Sequence, residues 1–130
     1  MDSVIRLCII GAGGFVGAIG RYLVSGWVQN RSDLLLFPIG TMAVNLIGCF
    51  CIGFLTMLVE TRSFFSVEIR SFLLIGMLGA FTTFSTFGNE TLMLMREGRF
   101  DLAAFNSVVQ VVIGVAMVWM GRAAAGIIWR

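Results

Sequence analysis

The chain is conspicuous first for what it lacks. Among 130 residues there is no histidine and no lysine, one proline, and only 16 charged side chains: nine arginines and seven acids. Without imidazole, the usual metal-binding and proton-shuttle chemistry at neutral pH has no carrier. The net charge of +2 and the lack of any arginine run provide no basic field for nucleic acid. Soluble domains carry about a quarter of their residues charged, and here the share is 12%, against 58% hydrophobic residues. A mean hydropathy of +0.98 completes the contrast. So much apolar surface has to meet something other than water, and the composition identifies an integral membrane protein. The three cysteines, Cys8, Cys49 and Cys51, all fall within apolar stretches. An odd number at such places argues against a disulfide framework and for small apolar fillers.

A hydrocarbon layer about 30 Å thick takes roughly 20 apolar residues in a helix. Four stretches are long enough, 4–28, 39–59, 72–95 and 102–128. They predict an all-α, four-span membrane domain over residues 1–130. Charges gather in the intervening breaks, and Pro38 stands where a helix can begin without losing a hydrogen bond. The first stretch has no small-residue cleavage site and three more follow it, so it does not read as a leader. An even number of spans puts both termini on one side, with Arg6, Arg62, Arg70, Arg122 and Arg130. Arg31, Arg96 and Arg99 lie on the other, joined by Arg21 if it belongs there. So small a bias is a weak orientation signal, and it suggests insertion both ways round and an antiparallel homodimer.

Several residues do not suit a lipid-facing helix. Gly13 and Gly17, like Gly121 and Ala125, have the small-xxx-small spacing of close helix packing. Asn45 lies about 9 Å into the second span at 1.5 Å per residue, with Thr41 one turn earlier on the same face. A buried amide must find hydrogen-bond partners or line a wet cavity, and both readings stand. Arg21 either ends a shorter first helix near Gly20 or reaches into an anion-attracting vestibule. The first is slightly favoured, with Tyr22 and Trp27 as an interfacial belt. The third span holds Thr82-Thr83-Phe84-Ser85-Thr86-Phe87, preceded by Gly76 and Gly79. Hydroxyls can satisfy a helix broken within the bilayer. The freed carbonyls suit a cation, and the new amide end suits an anion. Phe81, Phe84 and Phe87 would form one slanted stripe, whose ring edges carry partial positive charge.

These motifs resemble the Fluc (CrcB) family of bacterial fluoride channels over essentially the whole chain. The resemblance rests on three ordered motifs. They are Gly13-Gly14-x-x-Gly17-Ala18-x-x-Arg21-Tyr22, Gly40-Thr41-x-x-Val44-Asn45-x-x-Gly48 and Gly79-x-x-Thr82-Thr83-Phe84-Ser85-Thr86-Phe87. It implies a passive fluoride channel in the bacterial inner membrane, not an enzyme, that exports cytoplasmic fluoride. It further implies an antiparallel dual-topology homodimer with two pathways, and a third helix broken mid-membrane. A structural Na+ would be held there by the backbone carbonyls of Gly79 and Thr82. The fluoride path would pass Phe84 and Phe87, with Ser85 and Thr86 as a polar track, Asn45 and Thr41 beside it, and Arg21 at the vestibule. Glu90 matches a family acid near the path, and Ser107 is the candidate hydroxyl from span four. Ala80 departs from the pattern, since many relatives have a second glycine there.

Two other classes compete. A small multidrug exporter is also four-spanned and dimeric, but it needs a carboxylate in the first helix, where this chain offers only Asp2. A non-transporting subunit that packs through glycines leaves the Thr-Thr-Phe-Ser-Thr-Phe run unexplained.

Overall fold

The computed structural model describes residues 3–33, 36–61 and 65–128. Asp2, Arg62 and Arg130, which enter the sequence arguments above, lie outside the described residues. The described chain is all helical, with four runs long and apolar enough to cross a membrane. Helix is the expected solution in lipid, because it satisfies its backbone polar groups within one segment.

Helix α1 spans Ser3–Arg31 and α2 spans Ile39–Thr61. The third run is divided into α3, residues 67–81, and α4, Phe84–Arg96. The fourth, α5, covers Phe100–Ile128. Both α3 and α5 contain a π-helical stretch, Ser71–Leu78 and Val109–Ile113.

Two expectations need correcting. The first helix does not stop near Gly20 but continues unbroken through Arg21 to Arg31, where the guanidinium lies 4.4 Å from the Trp27 ring centre. Helix α3 begins at Val67, five residues before the expected Phe72. Ser66 caps it by accepting from the Ile69 amide, and this places Glu68 and Arg70 in the helix. Such a cap supplies one of the orphan amides at a helix start and stabilises it by about 1 kcal/mol.

Alternate helices run parallel and touch through backbone. Helix α1 lies along α3: a Cβ at Gly13 would overlap the Phe72 carbonyl oxygen, and one at Gly17 the Met77 carbonyl oxygen. Helix α2 lies along α5 in a constant register. Asn45 meets Gln110, Gly53 meets Val118 and Met57 meets Arg122, each pair 65 residues apart. Gly121 closes this seam against Phe50, and Arg122 reaches Glu60 at its end. Lipid tails give helices no hydrophobic reason to associate, so close van der Waals approach has to supply it. A small apolar core, Phe37, Met42, Leu94 and Ala103, ties α2, α4 and α5 together at the other end.

Candidate functional site

The two residues between α3 and α4 set the site. Thr82 and Thr83 are extended, at φ −86°, ψ 159° and φ −151°, ψ 116°. The two glycines ahead of them are not where the helix opens. Gly76 lies within the π-helical stretch, and Gly79 keeps helical angles of −61° and −34°. Two β-branched residues favour extended backbone, and partners at hand take up the polar groups that the opening exposes.

Those partners come largely from side chains. In a continuous helix the Thr83 amide would bond the Gly79 carbonyl, and the Thr86 amide the Thr82 carbonyl. Here Thr83 N–H donates to Asn45 Oδ1 at 2.8 Å, and Thr86 N–H donates to Thr83 Oγ1 at 3.2 Å. Asn45 Nδ2 also donates to the Thr83 carbonyl at 3.1 Å. Asn45 thus grips both backbone polar groups of Thr83, while the Thr83 hydroxyl caps the new helix and donates to Thr86 Oγ1 at 3.0 Å. Ser85 Oγ stands 3.4 Å from the same hydroxyl.

Three cavities open around this point. One of about 500 Å³ is bordered by Arg21, Tyr22, Ser25, Thr41, Thr83 and Thr86. A second, of about 390 Å³, shares Ser25 and Thr41 with it and adds Glu90 and Glu97. Between them Thr41 donates to Glu90 Oε1 at 2.6 Å, and the buried Glu90 Oε2 has no hydrogen-bond partner among the described residues. The third cavity, about 370 Å³, is largely apolar and lies across the break, where Gly79, Thr82, Thr83, Phe84, Phe87 and Asn45 line it. Thr83 borders both the Arg21 cavity and the Phe cavity.

Most expected residues therefore fall into two adjoining groups, Arg21, Thr41, Thr86 and Glu90 on one side and Asn45, Gly79, Thr82, Phe84 and Phe87 on the other, whereas Ser85, expected on the polar track, borders none of the three cavities. The Phe stripe does not run unbroken. Phe81, on the far side of the extended pair, packs beside Gly20 and Gly48. Phe84 and Phe87 form a tilted pair, with ring centres 5.5 Å apart at 52° and Phe84 83% exposed. Ser107 does not join either group, since its hydroxyl donates to Ala103 within its own helix at 2.9 Å. Span four contributes Gln110 and Asn106 instead. Gln110 Oε1 accepts from Asn45 at 2.6 Å, and Gln110 donates to Asn106 Oδ1 at 2.9 Å. Neither was singled out in the sequence, although two amides one helical turn apart in an apolar span call for the same attention as Asn45.

A family model described as CrcB-like protein, Camphor Resistance (CrcB), matches residues 8–122. The chain belongs to the CrcB family. It is 42% identical over 119 residues to fluoride-specific ion channel FluC 1 of Methanosarcina acetivorans, covering 92% of this chain and 89% of that one. It is 43% identical over 120 residues to FluC of Elusimicrobium minutum, with 92% and 93% coverage. FluC of Agrobacterium fabrum is 40% identical over 120 residues, with 92% and 95% coverage. Its relatives are ion channels, and this CrcB member is a multi-pass membrane protein with four helices able to span the bilayer.

Proposed function

We infer that this CrcB protein is a passive, fluoride-selective channel that lets fluoride leave the cytoplasm across the cell (inner) membrane. The observation that carries this reading is the capped break at Thr82–Thr83. It lies between a polar cavity with Arg21 at its border and an apolar cavity edged by Phe84 and Phe87. Fluoride is small and strongly hydrated, so its water has to be replaced by several donors along the way. Arg21 attracts the anion into the vestibule, beyond which the Thr83, Ser85 and Thr86 hydroxyls cluster at the start of α4. The N-terminal end of α4 adds its amide dipoles. The Phe84 and Phe87 edges then follow, with partial positive charge but no fixed cation to hold the ion.

The working unit in this reading is an antiparallel, dual-topology homodimer whose helix break sits mid-membrane. The large exposed apolar residues of the Phe84 face would then be shared between lipid and a second copy. The Gly79 and Thr82 carbonyls fit a structural Na+. The helical donors of both carbonyls are diverted to side chains, and both residues border the open cavity across the break. A bound Na+ would supply positive charge to carbonyl oxygens that have lost their amides. The test is fluoride efflux from liposomes holding the purified protein alone, with chloride-loaded vesicles as control. Rapid fluoride release with little chloride leakage is expected, and folded protein that releases no fluoride overturns the reading.

A further inference from the structure

Gln110 has no part in the functional reading above, yet it sits in a hydrogen-bonded chain whose direction is dictated by the broken helix. Amide side chains can ordinarily be turned end for end without changing their shape. Asn45 cannot, because its oxygen faces the Thr83 N–H and its nitrogen the Thr83 carbonyl, two backbone groups with one role each. Asn45 Nδ2 must therefore meet an acceptor on its other side, which fixes Gln110 with Oε1 toward it. Gln110 Nε2 then needs an acceptor and finds Asn106 Oδ1. Asn106, fully buried at 0% exposure, turns its nitrogen to Thr91 Oγ1 at 2.9 Å. The Thr91 hydroxyl donates in turn to the Phe87 carbonyl at 2.8 Å. The chain leaves α4 at Thr83 and returns to α4 one turn later at Phe87, passing through α2 and α5 on the way. From the Thr83 N–H to the Phe87 carbonyl each group donates to the next, the arrangement in which successive hydrogen bonds strengthen one another; the Asn45 bond to the Thr83 carbonyl alone runs back.

We propose that Gln110 is a positioning residue for conduction, fixing Asn45 on the Thr83 backbone and so holding the α4 turn that carries Phe84, Ser85, Thr86 and Phe87. Both N–H bonds of Asn45 are committed, one to Thr83 and one to Gln110. Asn45 therefore shapes the path through Thr83 and does not itself donate to the passing ion. The inference rests on the channel reading for its readout. A wild-type protein that carries no fluoride current refutes that reading, whereas a conducting wild type with indifferent variants refutes only this one.

Fluoride currents in planar bilayers test it, with size-exclusion profiles as the check on folding. Gln110→Met keeps the size and removes both hydrogen bonds, and at least a tenfold loss of current is expected. Gln110→Glu separates the two bonds: a neutral carboxyl accepts from Asn45 and donates to Asn106 as glutamine does, and an ionised one cannot donate. Its current should approach wild type at pH 5 and fall at least fivefold by pH 8, with wild type nearly flat. Cys49 is the titratable side chain lining the cavity that Gln110 shares with Asn45, and Glu90 is turned toward Thr41. Thr91→Val breaks the far end of the chain without touching any of the three cavities. It should lower current several-fold, and Thr91→Ser should restore it. Wild-type current in Gln110→Met, a Gln110→Glu current that does not change with pH, or an indifferent Thr91→Val would each overturn the proposal. If Gln110→Met does not fold, the other two variants decide.

Discussion

The tightest contact at the break is also the most informative one to perturb. A Cβ at Gly48 would overlap Thr82 Cγ2, while its next neighbours, Thr82 Cβ at 3.6 Å and Phe81 Cδ1 at 3.7 Å, are ordinary contacts. One methyl group alone stands in the way. Thr82 cannot simply swing it aside, because its hydroxyl donates to the Leu78 carbonyl at 3.1 Å and holds the rotamer. Forcing the side chain off its rotamer costs about 0.5–1.5 kcal/mol, and over-packing generally costs about 1–3 kcal/mol. Gly48→Ala should therefore destabilise the protein by about 1–3 kcal/mol. Thr82→Ser removes the obstructing methyl and keeps the hydroxyl bond. The double variant should return to within about 0.5 kcal/mol of Thr82→Ser alone, a coupling energy of about 1 kcal/mol or more. Denaturant titration of detergent-solubilised protein, followed by circular dichroism, gives all four stabilities. A double variant as unstable as Gly48→Ala, or a Gly48→Ala protein as stable as wild type, would refute this account of the contact.

Gly17→Ala meets the Met77 backbone, not a side chain. It should cost a similar 1–3 kcal/mol, roughly, with no rescue from side-chain changes on α3, whereas Gly11→Ala enters open space and should cost nothing measurable in the same titration. Asn45→Asp keeps the acceptor for Thr83 N–H but sets oxygen against the Thr83 carbonyl and Gln110 Oε1. Two unmade, partly buried bonds at about 1 kcal/mol or more each should lower fluoride flux by about a hundredfold, and a normally conducting variant would contradict the hold of Asn45 on Thr83. Phe84→Ile and Phe87→Ile should each reduce fluoride efflux without changing the elution volume; unchanged flux in both argues against a path along these rings. Exchange of Na+ for a bulky organic cation should speed dissociation of the proposed dimer, measured by subunit exchange between labelled proteins, and equal rates would argue against the proposed Na+ at the Gly79 and Thr82 carbonyls.

The helices were legible because a bilayer demands long apolar runs, and composition alone reveals those. The start of α3 is less legible, because the charges of Glu68 and Arg70 have the look of a loop, although Ser66 ahead of them is a capping residue. Arg21 misled in the opposite sense: a charge suggested a helix end, but the chain stays helical and the side chain borders a cavity instead. The density of hydroxyls did mark the interrupted run. The exact place of the opening did not follow from the glycines, because it depends on what Asn45 offers from another helix. The hydroxyl of Ser107 makes it a candidate in the sequence, yet a hydroxyl in a helix readily satisfies itself on the carbonyl one turn back. An amide cannot close on itself in that way so easily, which is why Asn106 and Gln110 reach across to other helices.

The grip of Asn45 on Thr83 also bears on how the chain is made. An interrupted helix entering lipid alone would present polar backbone with no partner, at several kcal/mol per group. Synthesis runs from the N-terminus, so α2 with its Asn45 is available before Thr83 emerges, and the partner precedes the need. Gln110 emerges last, and Asn45 acquires its second acceptor only when α5 arrives. With the break inside the bilayer, as proposed above, integration of the third span would depend on the presence of the second, and its final shape on the fourth. In a chain stopped after Arg96 Asn45 would hold Thr83 without Gln110 behind it.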